Sequence, residues 1–91
     1  MKEDRIKKII QGDWLAFGPD KSRKFPRKIT GLEAIDPSGH VLKISIQGNE
    51  ITIHFPGDGF EKLTFDPKNP NTLKGVNNVG IDVTYTRVAK R

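Results

Sequence analysis

The chain has 91 residues, of which 34% are hydrophobic and 30% charged, with a formal net charge of +5 and no cysteine. This length fits one domain, and the lack of cysteine excludes disulfide bonds, thiolate metal sites and a cysteine nucleophile. No apolar run is long enough for a signal peptide or a membrane span, so we expect a cytoplasmic protein unless a leader preceding Met1 has been removed. The positive charge is compatible with an acidic partner such as nucleic acid, although many small domains carry it for solubility.

The pattern of residues 2–10 predicts a short amphipathic helix. Ile6, Ile9 and Ile10 share one helix face, and charged residues occupy most of the remaining positions. A helix this short is not stable alone in water. We therefore expect residues 1–11 to form a helical cap that packs on the rest of a single domain, residues 12–91.

After this helix, apolar and polar residues alternate with the period of β-strands. We predict about seven strands separated by Gly-, Pro- and Asn-rich turns: 14–17, 26–35, 40–47, 51–55, 60–65, 72–76 and 81–88. The turn Gly48–Asn49 predicts a hairpin in which Ile46 pairs with Ile51 and Ile44 pairs with Ile53.

Short strands that follow one another through tight turns favour an all-β fold. We predict a small up-and-down antiparallel β-barrel, a meander of about seven or eight short strands with a short N-terminal helix. The alternative is a partly open barrel of about five or six strands, in which some of the predicted strands are loops.

Two sequence features at the ends of this meander carry a family resemblance. Gly12-Asp13-Trp14 leads from the predicted helix into the first predicted strand, and Arg87 lies near the end of the last one. Together with the order of the hairpins, they resemble the calycin superfamily, in particular small bacterial lipocalin-like domains. The resemblance implies that Trp14 lies at the closed end of the barrel and that Arg87 packs across its ring as a structural pair. A guanidinium over an indole contributes about 0.5–2 kcal/mol.

The resemblance also implies a non-enzymatic domain that binds a small apolar or amphipathic ligand. A barrel of this size has little interior space, and the inward side chains are bulky. We therefore expect the ligand at the barrel mouth, against Leu42, Phe55, Phe65 and Tyr85, with residues 18–28 as a gate. The alternative is a filled scaffold or interaction module with no ligand.

The basic segment, residues 19–28, is the most prominent polar feature of the chain. We predict a loop in which five cations surround one aromatic side chain: Lys21, Arg23, Lys24, Phe25, Arg27 and Lys28. In a lipocalin-like domain these cations meet an acidic head group such as a carboxylate. In the alternative function, a small basic β-barrel binds single-stranded nucleic acid, with phosphates on the cations and a base stacked on Phe25.

The other polar residues do not form a recognisable catalytic or metal-binding pattern. The carboxylates lie mostly in turns, and the serines have no histidine and acid in a triad arrangement. The predicted hairpin register separates His40 from His54, whereas a metal site needs three or more converging ligands. We therefore expect no enzymatic activity, no metal and no cofactor, and a monomer or homodimer without a membrane span.

Overall fold

In the computed structural model, which describes residues 2–88, one short helix precedes eight strands. The elements are α1 (Lys2–Ile9), β1 (Gly12–Phe17), β2 (Lys24–Thr30), β3 (Glu33–Ile35), β4 (Val41–Gln47), β5 (Glu50–His54), β6 (Phe60–Phe65), β7 (Thr72–Asn77) and β8 (Asp82–Arg87). Each strand pairs antiparallel with the next, and β8 pairs with β1, so the sheet closes into a barrel. The predicted all-β, up-and-down barrel with an N-terminal helix is therefore confirmed.

The predicted strands agree with the observed ones except in one place. The β4–β5 hairpin has the predicted register, with Ile44 opposite Ile53 and Ile46 opposite Ile51. The single strand predicted for 26–35 is wrong, because the chain turns after β2 and returns as β3. Gly31 permits this turn with a φ of 61°, a conformation that other residues rarely adopt.

The connections between strands alternate between the two ends of the barrel. One end, here called the helix end, carries the β2–β3, β4–β5 and β6–β7 connections, and α1 packs there near β4. The backbone N–H of Gly48 in the β4–β5 turn donates to Glu3 of α1 at 2.8 Å. The opposite end, here called the open end, carries the connections at 18–23, 36–40, 55–59 and 78–81.

Apolar side chains fill the barrel interior from the helix end upward. The buried hydrophobic residues are Ile6, Ile10, Trp14, Ala16, Ile29, Ala34, Leu42, Ile44, Ile51, Ile53, Leu63, Phe65, Leu73, Val83 and Tyr85. The predicted apolar face of the helix is only partly correct, because Ile9 is 40% exposed. Adjacent helical residues point about 100° apart, so Ile9 and Ile10 do not both face the barrel. No helix within residues 2–88 is long and apolar enough to cross a bilayer.

Candidate ligand-binding site at the open end of the barrel

Trp14 and Arg87 lie together at the helix end. The Trp14 side chain is fully buried, and its Nε1 donates a hydrogen bond to the Ile10 carbonyl at 2.8 Å. The Arg87 guanidinium lies 4.3 Å from the centroid of the Trp14 ring. These two residues are opposite each other in the β1–β8 pairing that closes the barrel.

Arg87 also completes the hydrogen bonding of the chain that leaves α1. Its Nη2 donates to the Ile9 carbonyl, its Nη1 to the Gln11 carbonyl at 2.7 Å, and its Nε to Asn71 Oδ1 at 2.9 Å. Carbonyls at a helix C-terminus lack partners within the helix, so these bonds stabilise its end. Desolvation lowers the pKa of Arg87 from its ordinary value. Packed side chains thus close the helix end, and Arg87 satisfies the carbonyls of Ile9 and Gln11 there.

The open end holds a cavity of about 380 Å³. Its lower wall includes the buried side chains Ala16 and Val83, and aromatic residues line the upper part. These aromatic residues are Phe17, Phe25, Phe55 and Phe60. The cavity therefore combines an apolar wall with direct access from solvent.

Hydrogen bonds hold the rim of this cavity in place. Asn78 ties the β7–β8 connection to the first residue of β6, since its N–H donates to the Phe60 carbonyl at 2.9 Å and its Oδ1 accepts from the Phe60 N–H at 3.2 Å. In the β7–β8 turn, Asn77 Oδ1 accepts from the N–H groups of Val79 and Ile81, both at 3.0 Å. A rim tied in this way loses less conformational entropy when a ligand binds.

A polar network of three side chains lies at the base of the cavity. Arg27 Nη1 donates to Tyr85 Oη at 2.8 Å, and Tyr85 Oη donates to Glu61 Oε1 at 2.7 Å. Arg27 Nη1 also lies 3.7 Å from Glu61 Oε1, and each of these two side chains is only 12% exposed. Burial, followed by the Glu61 charge, raises the pKa of Tyr85 well above its ordinary value.

Arg27 has hydrogen-bonding capacity that this network does not use. Its Nε is buried and has no hydrogen-bond partner among the described residues. The guanidinium carbon lies 5.3 Å from the centroid of the Phe55 ring and 5.9 Å from that of Tyr85. A buried N–H without a partner is destabilising by about 1–3 kcal/mol. Because Nε is shielded from solvent, a ligand in the cavity reaches this guanidinium at Nη2, which is not buried and has no hydrogen-bond partner among the described residues.

Of the four residues that the sequence predicts to line the ligand site, two lie at the cavity and two lie elsewhere in the barrel. Phe55 lines the cavity, and Tyr85 lies beneath it as the centre of the polar network. Leu42 is buried in the core away from the cavity, and Phe65 is the last residue of β6, at the helix end. The alternation of apolar and polar residues predicts which side chains point inward, but not how far from each end of the barrel they lie.

The basic segment is not one loop. Lys21 and Arg23 lie in the β1–β2 connection, whereas Lys24, Phe25, Arg27 and Lys28 belong to β2, where the chain pairs with β1. Lys24 and Lys28 are exposed on the outer face, and Phe25 is 51% exposed at the mouth of the cavity. Only Arg27 of this segment turns its charge toward the barrel interior.

Arg27 and Glu61 were not assigned to an interior polar site from the sequence. The signal was present, because Arg27 lies two residues before the buried Ile29, and Glu61 lies two residues before the buried Leu63. Their charge argued against an inward position, since charged residues are seldom buried without a partner. The partners are 34 positions apart in the chain, and only barrel closure brings them together.

The histidines lie apart on the outer surface. His40 Nδ1 is 3.2 Å from Asp36 Oδ2, and His54 Nε2 is 2.9 Å from Ser45 Oγ. In the part of the chain that the structure describes, no group of three or more His, Asp or Glu side chains is arranged to hold a metal ion.

Comparison of the chain with protein-family models, with curated proteins and with solved structures finds no match. The closed antiparallel barrel of eight strands is compatible with a calycin-like fold. The geometry of the molecule itself is therefore the basis for inferring its function.

Proposed function

We propose that the protein is a non-enzymatic, lipocalin-like binding domain that holds a small apolar or amphipathic ligand in the open-end cavity. The supporting observation is the lining of this cavity, which combines aromatic side chains with the polar network at its base. The cavity measures about 380 Å³. A concavity of the same volume near the helix end, lined by Thr64, Thr72 and Lys74 among others, has no aromatic side chain. Ligand sites are typically concave and apolar, with few polar groups and volumes of about 300–1,000 Å³.

The depth of the cavity limits how the ligand binds. Ile53, Leu63 and Tyr85 are fully buried in the barrel interior, so the ligand does not pass through the barrel. Its apolar part contacts Phe55 and Val83, and its polar group faces Arg27 and Glu61. This orientation places each part of an amphipathic molecule against side chains of matching polarity.

Native mass spectrometry of the gently purified protein, followed by titration with octan-1-ol, tests this proposal. We expect binding that raises the melting temperature, since a ligand that binds only the folded state stabilises it. Val83→Phe fills part of the cavity and is expected to weaken octanol binding by about tenfold or more, which corresponds to about 1.4 kcal/mol.

Val76→Phe is the matched control, because Val76 is exposed on the outer face of the neighbouring strand β7. We expect it to bind octanol as the unmodified protein does. The proposal is wrong if purified protein carries no adduct and neither octan-1-ol nor octanamide binds. The remaining candidates are then a barrel that binds single-stranded nucleic acid, a filled scaffold and an interaction module.

One observation favours single-stranded nucleic acid as a second candidate. Phe25 is half exposed, and the exposed cations Lys21, Arg23 and Lys24 precede it. An accessible ring beside cations suits base stacking combined with phosphate contacts. Salt dependence separates the two functions, because nucleic-acid binding weakens steeply with salt and binding of a neutral ligand does not.

A further inference from the structure

We infer that the ligand of the open-end cavity carries a neutral head group that both accepts and donates hydrogen bonds, such as a primary amide, and that Glu61 determines this selectivity. The inference rests on the proposed function and names the ligand class for the same cavity. It replaces the acidic head group expected from the basic segment.

The charge of Arg27 is already matched within the protein. Glu61 lies 3.7 Å away and Tyr85 bridges the two side chains with two hydrogen bonds. Because both charged side chains are largely buried, their interaction is screened less than that of a surface pair. An incoming carboxylate therefore meets an ion pair of zero net charge rather than a free cation.

The charges within the cavity lining itself sum to −1, because the charged residues that line it are Arg27, Glu61 and Asp82. The ammonium groups of Lys24 and Lys62 lie outside this lining, 5.8 Å from the centroid of the Phe17 ring and 5.5 Å from that of Phe60. An anionic head group beside Glu61 experiences repulsion between like charges in a partly desolvated site. A cationic head group at the same depth meets Arg27. Neither charged head group suits this position.

The donors and acceptors of Arg27 and Glu61 that lack a partner suit a neutral head group that both donates and accepts hydrogen bonds. Nη1 of Arg27 donates to Tyr85, and Nε is buried beyond the reach of a ligand, whereas Nη2 has no hydrogen-bond partner in residues 2–88 and is not buried. Oε1 of Glu61 accepts from Tyr85, and Oε2 accepts no hydrogen bond within the same residues and is not buried either. An amide oxygen accepts from Nη2, and the amide nitrogen donates to Oε2 of Glu61.

Isothermal titration of the unmodified protein with three probes of equal chain length tests this inference. The probes are octanamide, octanoate and octylammonium, which differ only in the head group. We expect octanamide to bind most tightly and both charged probes to bind more weakly by about tenfold or more.

Glu61→Gln then tests which residue sets the selectivity. Glutamine keeps an oxygen that accepts from Tyr85 but removes the negative charge, so the charge of Arg27 becomes available to an anion. We expect the ratio of octanoate to octanamide affinity to rise by about tenfold or more. Glu50→Gln is the control, since Glu50 is exposed at the first position of β5, at the helix end. This variant is expected to leave the ratio unchanged.

Trp14 fluorescence and a melting curve establish that each variant is folded. If Glu61→Gln does not fold, the comparison of the three probes on the unmodified protein decides the question alone. The inference is overturned if octanoate or octylammonium binds that protein as tightly as octanamide, or if folded Glu61→Gln keeps the original ratio. If none of the three probes binds, the proposed function fails as well.

Discussion

Tyr85 connects the core of the barrel to the cavity. It is fully buried, and its hydroxyl both accepts from Arg27 and donates to Glu61. Burial is the largest cause of its raised pKa, and the Glu61 charge acts in the same direction. The folded protein therefore favours the neutral phenol more strongly than the unfolded chain does.

This difference predicts alkaline destabilisation. Below the unfolded-state pKa, close to 10.0, Tyr85 is neutral in both states and its full contribution to stability is present. Above that pH the unfolded chain loses the proton and the folded protein retains it. The free energy of unfolding then falls by up to about 1.4 kcal/mol per pH unit until the folded pKa is reached.

Tyr85 is the only tyrosine, so near-ultraviolet absorbance of its phenolate reports this titration directly. We expect the phenolate to appear only as the protein unfolds at high pH. Tyr85→Phe is expected to lose about 1–3 kcal/mol at neutral pH, because Arg27 and Glu61 lose hydrogen bonds, and to show a shallower alkaline slope. Phenolate formation near pH 10.0 in a protein that remains folded contradicts this prediction.

At the scale of elements, the Trp14–Arg87 contact links α1, β1 and β8. A double-mutant cycle with Trp14→Leu and Arg87→Met measures their coupling by chemical unfolding. We expect each change to be destabilising and the pair to be less than additive by about 0.5–2 kcal/mol, the range of a cation–π contact.

Arg23→Met provides the matched control for this cycle, because Arg23 lies in a connection at the opposite end of the barrel. Combined with Trp14→Leu, it is expected to be additive within about 0.5 kcal/mol. If the changes in the free energy of unfolding caused by Trp14→Leu and Arg87→Met simply add, the two side chains make no stabilising contact.

β6 and β7 approach each other closely at Gly75. A Cβ atom built on Gly75 lies 1.7 Å from the Lys62 carbonyl oxygen, which no side chain can accommodate without movement of the backbone. Gly75 pairs with Leu63 on one side and with Val83 on the other. Its lack of a side chain allows β7 to follow the curvature of the closed barrel.

For the whole molecule, the distribution of charge distinguishes the two candidate functions. The cavity lining is negative, so a nucleic acid finds its cations on the outside, at Lys21, Arg23 and Lys24. Replacing these three residues by alanine is expected to weaken binding of a dT oligonucleotide. The slope of log affinity against log salt is expected to fall by about 2, since each cation contributes about 0.7 on a single strand.

A second triple variant carries the same change in net charge. It replaces three exposed lysines elsewhere, Lys62, Lys68 and Lys74. If both triple variants weaken oligonucleotide binding equally, the attraction arises from net charge alone. If the unmodified protein does not bind the dT oligonucleotide at low salt, the hypothesis that it binds single-stranded nucleic acid is wrong.

The strand order and the β4–β5 register were predictable because alternation and turn residues are local properties of the chain. The division of 26–35 was not predicted, because the turn at Gly31 interrupts a run that otherwise suits one strand. The polar network required knowledge of tertiary pairing. Arg27 and Glu61 resemble surface residues until closure of the barrel provides each with its partner.

The contact between Arg87 and the C-terminus of α1 also constrains the order of folding. The guanidinium donors lie 76 and 78 positions after the carbonyls that they satisfy. The hairpins between them form from neighbouring residues, whereas α1 obtains this partner only from β8, at the other end of the described residues. Contacts of such long sequence separation slow folding, so we expect α1 to dock late, together with closure of the barrel.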